Sequence, residues 1–571
     1  MKIPVIPVSL LIAAAAVAPA ADHKLSPDLL NRQGNANVIV QFTSAPTIRH
    51  HMAVLRHGGS LNRDLSGVIQ GAAYSLPASA IADLAQDPEV AYISPDRPLH
   101  GMLNFTAAAV NAQVAWSQYG LNGAGIGIAV IDSGISAHED LNDSAGKSRV
   151  VWNQDFVGGG TNDFYGHGAH VAGIIAGNGA DSTGKHYTMT FMGMAPNANL
   201  INLRVLDQNG NGTDSAVINA INTAIALKSK YNIRVINLSL GRPVYESYTL
   251  DPLCQAVEAA WKAGIVVVAA AGNDGRDNSI GTSGYSTITA PGNDPYVITV
   301  GAMKTMATLG RTDDLIASYS SKGPTLIDHI VKPDLVAPGN RVASLLVSTA
   351  TLNKTYPQNT IQKNYYETNN GKATVSEYFT LSGTSMAAPV VSGAAALLIQ
   401  RNPLLTPDQV KVILMKTAYK TFPSFSVAVD PMTGLSYTSQ YDIFTVGAGY
   451  LDIAAALANT DVVPSTPGSA LSPTAAIQNV NGVPTVCVVN SGLTAVWGST
   501  AVWGSTAVWG SSVFVNGSTA VWGSTAVWGS TAVWGSTAVW GSTAVWGSTA
   551  VWGSLLPDSA ETVNIAIYGE N

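Results

Sequence analysis

Four polar side chains stand at glycine-flanked junctions where chemistry could be done. They are Asp132 in IAVIDSGI, His167 in DFYGHGAHVAGIIAG, Asn273 in GIVVVAAAGNDG and Ser385 in YFTLSGTSMAAPVVSGAAALL. A serine hydroxyl is a poor nucleophile until an adjacent base takes its proton, and that base must itself be oriented. A side-chain amide such as that of Asn273 is a neutral donor that could face a developing oxyanion. Each residue alone has an ordinary structural explanation. Ser and Thr before an apolar helical run cap helices, and an Asp or Asn after a strand closes a turn. A lone histidine is commonly a surface or packing residue, and His170, three residues after His167, is a second candidate base. Four such coincidences in separate strand-to-loop or loop-to-helix contexts favour the chemical explanation.

Positioning these groups requires rigid elements, and the sequence supplies them. Between residues 107 and 457, apolar runs (GIGIAVID, NLINLRVL, RVINLSL, GIVVVAAAG, PYVITVGA) alternate with helical stretches such as DSAVINAINTAIALKSKY and CQAVEAAWKAG. The runs are continuously hydrophobic, as expected of parallel strands buried on both faces. The pattern predicts an α/β fold, a mostly parallel central sheet with helices on both sides and sites at the carboxyl ends of strands. Residues 36–100 predict a small α+β unit, with strands at NVIVQF and VAYISPD and a helix within ASAIADLAQDP.

The 571 residues carry 29 basic and 36 acidic side chains, and a net charge of −7 is too mild to imply nucleic acid. Residues 1–20, MKIPVIPVSLLIAAAAVAPA, have the form of a signal peptide, with cleavage expected after Ala20. No later stretch reads as a transmembrane helix. Export would permit a disulfide, yet Cys254 and Cys487 are no framework, and free or paired states stay open.

The words VIDSGI, GHGAHVAGIIAG, INLSLG, VVAAAGN and GTSMAAPVVSGAAAL together resemble the subtilisin-like serine peptidases, in their chain order Asp, His, Ser. The resemblance covers about 107–457. It implies Ser385 as nucleophile, His167 as general base and then acid, Asp132 as orienter, and the Asn273 amide with the Ser385 N–H as oxyanion donors. It also implies an extended substrate lying between Ser239–Leu240–Gly241 and Asn211–Gly212–Thr213, with Ala270–Ala271–Gly272 walling the first pocket. Backbone recognition of this kind predicts a broad endopeptidase with some preference for large apolar residues before the cut. One departure is Ala169, which gives HGAH where the family commonly has HGTH. No cofactor is required by this chemistry. Asp140, in HED, matches a position that helps bind structural calcium in many relatives, but the loop NGADSTGKHYTMTF departs from their pattern. DQNGNGTDS lacks the later ligands of a calcium loop and reads as a turn.

The resemblance makes residues 36–100 an inhibitory propeptide, an intramolecular partner removed by self-cleavage between about His100 and Ala108. Polypeptides are then the substrates, and the product is secreted. Residues 458–490 read as a Pro/Ser/Thr-rich linker. Beyond it TAVWG occurs nine times between Thr494 and Gly553, and residues 491–554 carry no charge. The period of six, broken once by SSVFVNG, is even and keeps the Trp of each run on one face of an extended chain, so the expected module is β-rich and attaches the enzyme to a surface or polymer. Two rival classes are an adhesive protein carrying a dead peptidase domain and an esterase. The first would usually lose a triad member or the oxyanion donor, and all are present. The second would need a GxSxG elbow, which GTSMA is not.

Overall fold

The computed structural model describes residues 24–95 and 103–489 apart from short interruptions, together with 512–514, 567, 569 and 570. The signal-peptide stretch and nearly all of the repeat tail lie outside the described residues. The chain divides into two compact units, Met1–His100 and Gly101–Asn571, each taken by itself.

In the first unit, β1 (Asn35–Phe42) alternates exposed and buried positions, the period-two pattern of a half-buried strand. With α1 (Ile48–Arg56), β2 (Ser60–Asp64), β3 (Gly71–Pro77), α2 (Ile81–Leu84) and β4 (Val90–Pro95) it forms an antiparallel sheet of order β2-β3-β1-β4. Val38, Val40 and Phe42 share a core with Val54 of α1, Leu84 of α2 and Ile93 of β4. The α+β expectation holds, and α1 is an element the sequence reading did not anticipate.

The second unit opens with α3 (Leu103–Ala109) and α4 (Ala112–Gln118), followed by β5 (Gly127–Asp132) and β6 (Val150–Asp155). Next come α5 (His167–Ala176), β7 (Asn199–Arg204), α6 (Asp214–Tyr231), β8 (Ile233–Leu238), α7 (Pro252–Lys262) and β9 (Val266–Ala270). β10 (Ile298–Lys304), β11 (Leu315–Ile316) and β12 (Leu335–Pro338) complete an eight-stranded sheet, β11-β10-β9-β8-β5-β7-β6 with β12 beside β10. Only β11 runs antiparallel. Every residue of β5 and β9 is buried, which is why those runs are apolar throughout rather than alternating.

A smaller sheet joins β13 (Val342–Leu345), β14 (Thr360–Ile361) and β15 (Tyr378–Leu381), with the short helices α8 (Thr351–Thr355) and α9 (Lys363–Tyr366) between them. Then follow α10 (Thr384–Arg401) and α11 (Pro407–Thr417). α10 is apolar almost all round and buried accordingly. Small residues let it and α5 sit close to their neighbours. A Cβ on Gly393 would fall 2.4 Å from Met194 Cβ, and one on Gly173 would fall 2.5 Å from Leu345 Cγ. Cys254 is buried and free, with its thiol against Asn293 Oδ1.

The supposed linker departs from its reading. Ser469, Ala470 and Ser472 are buried. Ala470 N–H donates to Asp408 Oδ1 at 2.9 Å, and Ser472 Oγ bonds Asp334 and Lys411. After two further strands, β16 (Phe425–Val429) and β17 (Ser436–Gln440), the chain adds an antiparallel hairpin, β18 (Thr474–Val480) and β19 (Val483–Val489). A polar composition concealed the docking because its partners lie 61 to 138 residues away.

Candidate active site

Asp132 ends β5 at the carboxyl edge of the sheet, where β7 lies on one side and β8 on the other. Such a switch point is the ordinary location of α/β sites. The residue is 1% exposed. Its Oδ1 accepts from Ser133 N–H at 2.7 Å and contacts His167 Nδ1 at 2.8 Å.

His167 is the first residue of α5, entered through Gly166 at φ +103°. That entry is held by a residue the sequence reading missed. The buried Asp163 accepts from Gly166 N–H at 2.7 Å, Tyr165 N–H at 3.1 Å, Ala169 N–H at 2.8 Å and Ser133 Oγ at 2.8 Å. Ser133 Oγ in turn accepts from Gly168 N–H at 2.8 Å. A carboxylate at a helix N-terminus satisfies the orphan N–H groups and the dipole together. Burial nevertheless holds the Asp163 carboxyl above its ordinary value, against the pull of these donors. Its signal was available as an acid four residues before the histidine. Gly168 is obligatory, because a Cβ there would meet Gly134 O at 2.3 Å.

The His167 side chain is 16% exposed. Burial pulls its pKa down, but the charge and hydrogen bond of Asp132, with Asp163 behind, outweigh that and raise it. His170 goes the other way. Its Nε2 faces the carbonyls of Val342 and Phe379, both at 3.1 Å, and burial with the nearby His167 lowers its pKa to about 3. It is a neutral core histidine tying α5 to β13 and β15.

Ser385 is the second residue of α10, half-buried, after Gly383 at φ +143°. Pro389 has no N–H for the carbonyl four residues back, which is that of Ser385. Ser239 Oγ takes that carbonyl instead, at 2.8 Å, while Ser385 Oγ donates to Ser239 O at 3.1 Å. Asn237 Nδ2 holds Ser239 Oγ at 2.9 Å, and Ser392 Oγ holds Asn237 Oδ1 at 2.8 Å. Asn273 Oδ1 accepts from Thr384 N–H at 2.9 Å and Thr384 Oγ1 at 3.2 Å. That anchoring leaves Nδ2 as the free end of the amide, 3.2 Å from where a Gly383 Cβ would stand. A side chain on Gly383 would crowd it.

The four candidates thus form two bonded groups, Asp132 with His167 and Asn273 with Thr384–Ser385. Among the described hydrogen bonds none joins His167 to Ser385, although α5 and α10 pack against each other. Of the segments assigned to substrate, Ser239 is buried and bonded to Ser385, directly after β8, which ends at Leu238. Leu240 is half-buried and Gly241 exposed. Ala270 and Ala271 are buried, and Gly272, at φ +106°, is half-buried, its N–H on Thr384 Oγ1 at 3.1 Å. Asn211, Gly212 and Thr213 are exposed, and Thr213 Oγ1 caps α6 through Ala216 N–H at 3.3 Å.

The chemistry of the Asp140 position does not fit calcium. Its Oδ1 accepts from Asp181 N–H and its Oδ2 from Tyr378 Oη, each at 2.8 Å. Asp207 Oδ1 accepts from Asn209 and Asn211 N–H at 2.8 and 2.9 Å, an ordinary turn. Among the described residues one cluster has metal-ligand chemistry, His138 with Asp181 and Glu377. Both its imidazole nitrogens already have partners, Asp140 N–H at 3.1 Å and Glu377 O at 3.2 Å.

The sequence model of the subtilase family matches residues 123–449. The chain belongs to the subtilase family. It is 37% identical over 350 residues to serine protease AprX of Bacillus subtilis (strain 168), covering 59% of this chain and 71% of the relative. It is 34% identical to subtilisin E of the same organism, covering 63% and 78%. A crystal structure of a cold adapted subtilisin-like serine proteinase aligns at 28% identity over 58% of this chain and 90% of that one, with a TM-score of 0.37. As a subtilase, the chain is a subtilisin-like serine peptidase whose substrates are polypeptides. Among its described residues no helix is long and apolar enough to cross a membrane.

Proposed function

We propose that this subtilase is a secreted endopeptidase working through an acyl-enzyme and made as a self-processing zymogen. The observation that carries the reading is the 2.8 Å pair between buried Asp132 and His167. In the resting state the Ser385 hydroxyl rests on the Ser239 carbonyl. Rotation about its Cα–Cβ bond turns it to His167 Nε2, which takes the proton as Oγ attacks the scissile carbonyl. Asp132 holds the imidazole by Nδ1 and stabilises its cation without taking the proton. The carbonyl oxygen, now charged, is received by Asn273 Nδ2 and the Ser385 N–H at the positive end of α10. His167 then delivers the proton to the leaving amine, and water hydrolyses the ester. Gly241, Leu240, Ala270–Gly272 and Asn211–Thr213 are the proposed walls of the substrate cleft, and no metal enters a step.

Residues 36–100 are the proposed inhibitory propeptide. Phe105, Thr106 and Ala107 in α3 are 5%, 2% and 4% exposed. A cut there would have to unwind a buried helix, so the reading places the maturation bond before Leu103. The test incubates full-length protein and its Ser385→Ala twin with casein and a fluorophosphonate probe. Only the wild type is expected to digest casein, take the label and lose its N-terminal unit. An equally active Ser385→Ala protein would overturn the mechanism. An unlabelled and inactive wild type would point to a peptidase scaffold used for binding.

A further inference from the structure

The last residues of the chain return to the peptidase unit and enter a built site. Glu570 is 2% exposed. Its Oε1 accepts from Lys304 Nζ at 2.6 Å, and its Oε2 from Arg276 Nη2 at 3.2 Å, Ser318 N–H at 2.8 Å and Ser318 Oγ at 2.6 Å. The backbone is read as well. Glu570 N–H donates to Asn340 Oδ1 at 2.8 Å, and Asn340 Nδ2 returns a bond to Glu570 O at 2.7 Å. Asn359 Nδ2 donates to the carbonyl of Ile567, whose side chain is 3% exposed. Gly569, at φ +63°, has no room for a side chain, because a Cβ would meet Ser382 Oγ at 2.5 Å and Arg341 Cγ at 2.7 Å.

We propose that Arg276, Lys304, Ser318, Asn340 and Asn359 form a binding site for an acidic peptide of the form Ile-x-Gly-Glu. Its occupant is the chain's own Ile567–Glu570 segment. The site selects at three positions, an apolar side chain, no side chain and a carboxylate, and two cations together with the N–H and hydroxyl of Ser318 meet the last. The other end of the same stretch is equally fastened. Ala475 N–H donates to His329 O at 2.7 Å, and Thr474 bridges Ile330. The described residues that precede and follow the repeats are therefore both fastened to the peptidase unit. While the chain is intact the segment is held at an effective concentration set by the connecting stretch; after one cut only its own contacts with the site keep the C-terminal half attached. The inference does not depend on the peptidase activity, since the site is defined by the docked segment alone.

The test uses the full chain with Ser385→Ala, to prevent self-digestion, and a site-specific protease sequence inserted between Ser554 and Leu555. After cleavage the fragment from Leu555 onward should co-elute with the body in gel filtration. Glu570→Gln or Gly569→Ala should release it. Retention in all three proteins would show that something other than this site holds the segment, and release in all three would show that the site does not hold it. Because a variant could fold differently, the cut protein is also titrated with labelled peptides. NIAIYGEN should exchange into it at least tenfold more tightly than NIAIYGQN. Equal binding of the two peptides would overturn recognition of the carboxylate.

Discussion

Asp132 and Glu570 are both buried carboxylates, 1% and 2% exposed, and their surroundings are opposite. Glu570 has both oxygens filled by two cations and a serine. Asp132 uses one oxygen for a backbone N–H and the imidazole, and among the described residues no donor reaches the other. A carboxylate held on both oxygens by cations and hydroxyl or N–H donors is locked in place. A sparsely bonded one keeps its field for the group beside it, and here that group titrates. Asp163 stands between the two cases. It is full of donors, but they are backbone N–H groups and a hydroxyl, so it orders the loop entering α5 rather than neutralising a cation.

The largest break in this comparison should come from Asp132→Asn. The amide keeps the shape but offers an N–H toward Nδ1 and so holds the wrong tautomer. The expected loss in kcat is about 10⁴-fold with the melting temperature nearly unchanged; a loss under tenfold would mean that Asp132 does not orient the base. Glu570→Gln should show the reverse, a stability loss of about 3–5 kcal/mol in urea unfolding, from leaving buried cations under-compensated, with kcat/KM changed less than tenfold. If it instead lost activity and kept its stability, the locked and acting carboxylates would have exchanged roles. Asn273→Ala should lower kcat by about 10²–10³-fold with little effect on KM, because the amide acts on charge that exists only in the transition state.

The smallest effect concerns pH. Asp132 raises the folded pKa of His167, and only the neutral imidazole can accept the Ser385 proton. Activity is therefore lost as pH falls through that raised value, and the acid limb of kcat/KM should lie above the ordinary 6.5. For stability the sign is opposite. The gain from the Asp132–His167 pair is fully present below 6.5 and is lost as pH rises through the folded pKa. An acid limb below 6.5 would show that burial outweighs the carboxylate.

Much of the sheet was legible because a strand buried on both faces has to be apolar along its whole length. The helix expected from DSAVINAINTAIALKSKY spans the same residues in the structure. The candidate quartet stood out as glycine-flanked junctions, since close backbone approach to a site excludes side chains. Asp163, Asn237 and Ser392 did not, because a buried polar residue looks like a surface one until its partners are known. The bond from Ser239 Oγ to the carbonyl that Pro389 leaves unpaired was not legible either, because its partner lies 146 residues away.

Composition and local pattern alone determined the α/β class, the family words, the order of the candidate residues and the six-residue repeat, because each depends on near neighbours. Tertiary structure alone decided that His170 is buried and neutral, its Nε2 facing the carbonyls of Val342 and Phe379. It also decided that Ser469–Ala475 belongs to the body, and that Glu570 finds two cations. Each of those outcomes balances the cost of desolvating a polar or charged group against partners tens to hundreds of residues away. No local stretch of sequence contains both sides of that balance.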